Sequence, residues 1–324
     1  MTPADLSRCV VRAVRCAVED GELSADVVVP ERVVVERTRP GGVGDYATPV
    51  AFQVAKSAGR PPGDVAGVLG RRLAAVPGVA SVDVTGAGFL NFTLAPLSTA
   101  GLVREVRARG LRYGYADGAF GVEPFCWART AEPRQRAVDE AVVRLLRSQG
   151  DGHGGPPPGV APVARRDGDV VGEYGRDASA WAMLTAPARE TPVFDQGLLL
   201  QGEGSEFFRV RYAYARSRAL LRNAGQLGFG AEAADVSDAP ELLRALADYP
   251  LVLEAAAHHR APERLARYLV ELADALLDFQ HRVLPQGDEK RSAAHRARLA
   301  LAEAAGTVLA GGLALLGIDA PERL

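Results

Sequence analysis

The chain has 324 residues, of which 48% are hydrophobic and 24% charged, with a formal net charge of −2. That length accommodates two domains with cores of their own, and the near-balance of charge excludes a protein coated in basic surface, so any nucleic-acid contact has to be local. The three cysteines (Cys9, Cys16, Cys126) have neither metal-ligand spacing nor the even number of a disulfide framework. Arg8, Arg12 and Arg15 interrupt the opening segment too often for a secretory signal, and no apolar run approaches the ~20 residues of a membrane span, so the expected location is cytoplasmic, without a membrane partner.

In chain order, Leu6–Val18 carries apolar residues at helical spacing with arginines on the other face. Val27–Val29 and Val33–Val35 are β-branched runs on either side of Pro30 and read as short strands. Gly41–Tyr46 (GGVGDY) reads as a turn; it lacks the lysine of a phosphate-binding loop. Thr48-Pro49 reads as an N-cap followed by Pro at the first helical position, opening a helix over Val50–Ser57. A second helix, Val65–Ala75, follows a Pro-Pro-Gly break. Val79–Val84 and Phe89–Leu94 alternate across a glycine turn as a hairpin, and Leu102–Arg109 closes an α/β domain.

Phe207–Ala224 (FFRVRYAYARSRALLRNA) is the most distinctive stretch. It holds five arginines, and no acid occurs between Glu206 and Glu232. Ala, Leu and Arg favour helix, and Gly225 stands where a stop belongs. Helical spacing groups Ala213, Tyr214, Leu220 and Leu221 as a core side. The other side has Ala215 and Ala219 as a floor, with Tyr212 and Asn223 beside them and arginines at both borders. Arg neutralises phosphate and Tyr offers a stacking platform, so this side suits a polyanion that carries bases. The alternative is that the alanines seat a neighbouring helix and the arginines form a solvated rim.

GDYAT at Gly44–Thr48, then VAFQVAK, then VDVTGAGFLNFTL resembles the N-terminal additional domain of arginyl-tRNA synthetases. VRYAYARSRALLRNAG resembles the first helix of the same enzymes' C-terminal anticodon-binding domain on Tyr212, Ala213, Ala215, Arg216, Leu221 and Arg222. Downstream, Leu265–Phe279, Arg298–Leu309 and GLALLGIDAPERL keep the order of that all-helical bundle. The resemblance implies an α/β domain over 1–112, a reduced α/β remnant of a catalytic domain over 113–192, and an all-α anticodon-binding domain of DALR type over 193–324. It implies tRNA as partner, of the arginine kind, and no DNA. Tyr212, Arg216, Arg218, Arg222 and Arg209 are the implied contacts on the anticodon side, and Asp45, Tyr46, Gln53 and Asn91 those of the N-terminal domain.

Between the two modules, Val122–Ala128 and Ala137–Leu146 read as a strand and a helix joined by Arg129–Arg136 (RTAEPRQR). That loop has neither His nor Gly where the family carries its HxGH-type signature, and with only Lys56 and Lys290 in the chain no KMSKS-like segment exists. Asp151–Gly159 reads as a Gly/Pro linker. No cofactor and no metal site is expected: His258, His259, His281 and His295 lack a Cys/His pattern, Cys126 has no nucleophile context, and Asp139-Glu140 read as a solvated helix face. The expectation is therefore a non-enzymatic tRNA-binding relative of the synthetases. The alternatives are a scaffold for an unknown protein partner, such as a synthetase or translation factor, and a residual enzyme that uses aminoacyl-tRNA.

Overall fold

Thr2 and Asp5 cap the first helix, α1 (Pro3–Glu19), reciprocally. The Thr2 hydroxyl accepts from the Asp5 N–H at 3.2 Å, and the Asp5 carboxylate accepts from the Thr2 N–H at 2.8 Å. Leu6, Val10 and Val14 are buried along one stripe, as their spacing requires. The two short strands expected at Val27–Val29 and Val33–Val35 do not form. Val27, Val33 and Val35 are buried, but side chains rather than a ladder hold the backbone. The Ser7 hydroxyl donates to the Val33 carbonyl and the Thr48 hydroxyl to the Val34 carbonyl, each at 2.7 Å.

Strand pairing starts at β1 (Glu36–Arg37) and continues with β2 (Tyr46–Thr48), β3 (Val79–Thr85) and β4 (Phe89–Leu94). All pairs are antiparallel and the order is β1-β2-β4-β3. Gly44 makes the entry to β2 possible. Its φ is +73°, and a Cβ there would stand 2.7 Å from the Phe92 carbonyl oxygen. That same oxygen accepts from the Asp45 N–H at 2.7 Å. Helices α2 (Val50–Ala58) and α3 (Pro62–Ala74) cover the sheet face that carries Leu90 and Phe92. Pro49, not Thr48, holds the N-cap position of α2, because the Thr48 hydroxyl donates to Val34; the Val50 N–H still reaches it at 3.3 Å. Pro62 at the first helical position opens α3 earlier than the sequence spacing proposed.

The structure is a computed structural model that describes residues 1–39, 41–96, 98–116, 132–151, 157 and 159–324. It divides into two units, Met1–Leu97 and Ser98–Leu324. The sequence put its first border at 112, yet α4 (Thr99–Arg109) lies in the second unit. The cause is local. The Thr99 hydroxyl donates to the Val236 carbonyl at 3.0 Å, and Asp235 accepts from the Ser98 hydroxyl at 3.0 Å and the Ala100 N–H at 3.1 Å.

The rest of the second unit comprises α5 (Pro133–Ser148), α6 (Val170–Tyr174), α7 (Arg176–Thr185), α8 (Glu206–Gln226), α9 (Pro240–His259), α10 (Pro262–Phe279) and α11 (Ala293–Leu316). No further division falls at 192. The strand expected at Val122–Ala128, Cys126, residues 129–131 and most of the Gly/Pro stretch lie outside the described residues. The remainder of RTAEPRQR is not loop but the start of α5, with Glu132 as its N-cap.

Two packing details shape this unit. By length and composition α11 is able to cross a membrane, contrary to the expectation from the sequence; 78% of its apolar window is buried, because it is the core helix against α8, α10 and α4. Pro250 stands inside α9 without ending it. A proline there has no N–H for the carbonyl four residues back, and the Tyr113 hydroxyl donates to that carbonyl, Leu246, at 3.1 Å.

Candidate nucleic-acid interface

The arginine-dense helix α8 runs from Glu206 through Gly225 to Gln226, longer than its glycine stop implied, and Ser205 caps it by accepting from the Phe208 N–H at 3.3 Å. Its inner side is Phe207, Val210, Ala213, Ser217, Leu220 and Ala224. The proposed alanine floor is partly closed, since Ala215 is buried; on the inner side, Ser217 faces Gly306 of α11 so closely that a Cβ on Gly306 would lie 2.1 Å from the Ser217 hydroxyl oxygen. Only a glycine lets the two helices approach this far. Ala215, at 7% exposure, is thus not part of an open floor.

Four of the five arginines meet an acceptor along the flanks of α8. Arg209 pairs with Asp274 of α10 at 3.0 Å and donates to the Glu203 carbonyl at 3.0 Å. The Arg216 Nε donates to Gln280 Oε1 at 2.6 Å. Arg218 pairs with Glu322 at 3.1 Å, and Arg222 reaches the same carboxylate at 4.0 Å and the Glu322 carbonyl at 3.4 Å. Tyr212 is exposed and stacks on Phe208, with ring centroids 5.4 Å apart and an interplanar angle of 13°. A flat aromatic platform thus stands among cations, the combination that holds bases and phosphates together.

Sequence reasoning missed what lies next to this row. A cavity of about 440 Å³ opens between α7 and α8, lined among others by Tyr174, Arg176, Leu200, Phe208, Arg211 and Leu324. Arg211 also lies over the Phe207 ring, 5.0 Å from its centroid. The signal was present: Phe208, Arg211 and Tyr212 are spaced three and four apart, which aligns them on one helix face. The side of the cavity formed by residues 174–178 and 198–201 is brought there by the fold.

In the first unit the four candidates separate. Asp45 and Gln53 are exposed, with the Asp45 carboxylate accepting from the Leu94 N–H at 3.0 Å. Tyr46 is buried, because it pairs directly across from Phe92 on the covered side of the sheet. Asn91 is 6% exposed and donates to the Thr85 hydroxyl at 2.7 Å and the Asp83 carbonyl at 3.3 Å, tying its own hairpin. Among the described residues no cluster of three metal-ligating side chains occurs.

Residues 210–324 match the DALR anticodon binding domain, and residues 9–94 match the arginyl-tRNA synthetase N-terminal domain. The arginine–tRNA ligase of Frankia alni is 28% identical in an alignment of 554 positions that spans the whole of both chains. That of Micrococcus luteus is 40% identical over 162 residues, covering 46% of this chain and 29% of its own. The fold is that of the Thermus thermophilus arginyl-tRNA synthetase, with a TM-score of 0.66 at 15% identity over the whole of both chains. These relatives overturn one expectation. The altered loop and the missing lysine segment argued for a chain that is no enzyme, whereas the proteins aligned with it end to end carry an enzyme's name.

Proposed function

For a chain with an arginyl-tRNA synthetase N-terminal domain and a DALR anticodon-binding domain, homologous to arginine–tRNA ligases, we propose that it grips tRNA and that this grip serves arginine–tRNA ligation. The observation that carries the reading is the flank of α8. Arg209, Arg211 and Arg216 lie within four residues of the Phe208–Tyr212 stack, whose Tyr212 ring is exposed; Phe208 and Arg211 also line a cavity of about 440 Å³, and Arg218 and Arg222 extend the basic row further along the helix. Unstacked loop bases and their phosphates are the ligand such a surface fits. The exposed Asp45 and Gln53 supply a second contact from the N-terminal domain, and arginine tRNA is the proposed substrate.

The test is tRNA affinity across a salt series, with arginine charging measured on the same protein. Arg216→Glu and Arg218→Glu are expected to weaken binding and to lower the salt slope by about one unit per lost phosphate contact. Tyr212→Ala is expected to cost about 1–3 kcal/mol of binding as a lost stacking platform. Both arginine variants binding like the parent would remove α8 from the interface. A parent that shows no salt-dependent tRNA binding would refute the function itself.

A further inference from the structure

The segment after α11 crosses the arginine flank of α8 and places one carboxylate there. Glu322 Oε1 lies 3.1 Å from Arg218 Nη2 and accepts from Arg218 Nε at 3.1 Å; its Oε2 lies 4.0 Å from Arg222, and its carbonyl accepts from Arg222 at 3.4 Å. All three side chains keep solvent contact, at 39% for Arg218, 38% for Arg222 and 55% for Glu322. An ion pair that exposed contributes little to folding and exchanges readily. The arrangement therefore adds almost nothing to the fold while setting the charge that an incoming anion meets.

We propose that Glu322 is a specificity-determining residue: an internal anion that stands where RNA phosphate would bind and that phosphate must displace from Arg218 and Arg222. The inference rests on the tRNA-binding reading of α8. A ligand that satisfies Tyr212, Arg216 and the cavity at the same time offsets the cost of that exchange. A featureless polyanion, which engages the two arginines by charge alone, does not. Glu322 thus weakens all anion binding at this end of the helix and weakens indiscriminate binding most.

The test measures affinity for a tRNA transcript and for heparin across a salt series, on the parent, Glu322→Gln, Arg218→Gln/Arg222→Gln and the triple variant. Glu322→Gln is expected to bind tRNA roughly two- to tenfold more tightly, the range of one or two exposed ion pairs. Its salt slope should steepen by about one unit, since one more counterion is released, and heparin should gain more than tRNA. In the Arg218→Gln/Arg222→Gln background the same change should have no effect. Unchanged or weaker tRNA binding by Glu322→Gln overturns the inference, as does an equal gain in the double-arginine background or a constant tRNA-to-heparin ratio. A parent that fails to bind tRNA would instead overturn the proposed function on which the inference rests.

Discussion

Arginine does two different jobs in the second unit. At the start of α5, Arg134 is fully buried and its guanidinium donates to five backbone carbonyls: Met183, Ala161, Glu190, Ala186 and Pro187. Burial pulls its pKa below the ordinary arginine value, and the nearby Glu132 and Glu263 oppose that pull. Along α8, by contrast, Arg209, Arg216, Arg218 and Arg222 meet side-chain acceptors on partly exposed flanks. The first arrangement ties the Ala161 carbonyl and four carbonyls of the 183–190 turn to one buried side chain, so it is fixed by the fold. The second leaves cations whose partners can be exchanged, which a binding surface requires.

The sharpest way to break this contrast is Arg134→Met. Five carbonyls lose this donor, and among the described residues only Pro187 keeps another in the Glu190 N–H, so the expected loss of stability is about 3–5 kcal/mol, read from urea unfolding. A loss below about 1 kcal/mol would place Arg134 with the α8 arginines and void the distinction.

Next in size is Gly306→Val, which tests whether packing fixes the inner side of α8 as firmly as hydrogen bonds fix Arg134. Overpacking against Ser217 is expected to cost about 1–3 kcal/mol in thermal unfolding. An unshifted melting temperature would mean that α8 and α11 separate freely.

Tyr113→Phe removes the hydroxyl that serves the Leu246 carbonyl and should cost about 1–2 kcal/mol. The cost should shrink in a Pro250→Ala background, where a backbone N–H becomes available to the same carbonyl. Equal costs in both backgrounds would show that Pro250 is not the reason for the contact.

The smallest effect belongs to the surface row. Arg209→Ala, which loses the partly exposed pair to Asp274, should change stability by less than about 1 kcal/mol. A larger loss, independent of salt, would make Arg209 structural and remove it from the binding flank.

The elements whose apolar spacing is regular were legible in the sequence: α1, the β3–β4 hairpin, α8, and the order of the helices after it. So were the two matched domains, since GDYAT and YAYAR lie in the right order, far apart in the chain. The strands expected at Val27–Val35 were not, because β-branched composition does not say whether a partner strand or a hydroxyl will serve the backbone. Of the candidate surface, the arginine-dense helix with Tyr212 could be picked out by residue type, and the cavity that Arg211 lines could not.

What the sequence determined by itself is local. Helical period, capping residues and turn glycines such as Gly44 act within a few residues, and each can be read where it stands. Tertiary structure decided what depends on partners distant in the chain. It buried Tyr46 and Asn91, enclosed the apolar α11 as a core helix, assigned α4 to the second unit, and brought Glu322 to Arg218 across 104 residues of sequence. Whether an arginine is anchor or contact follows from that last kind of information. The side chain is identical in both cases, and only the acceptors and the water around it differ.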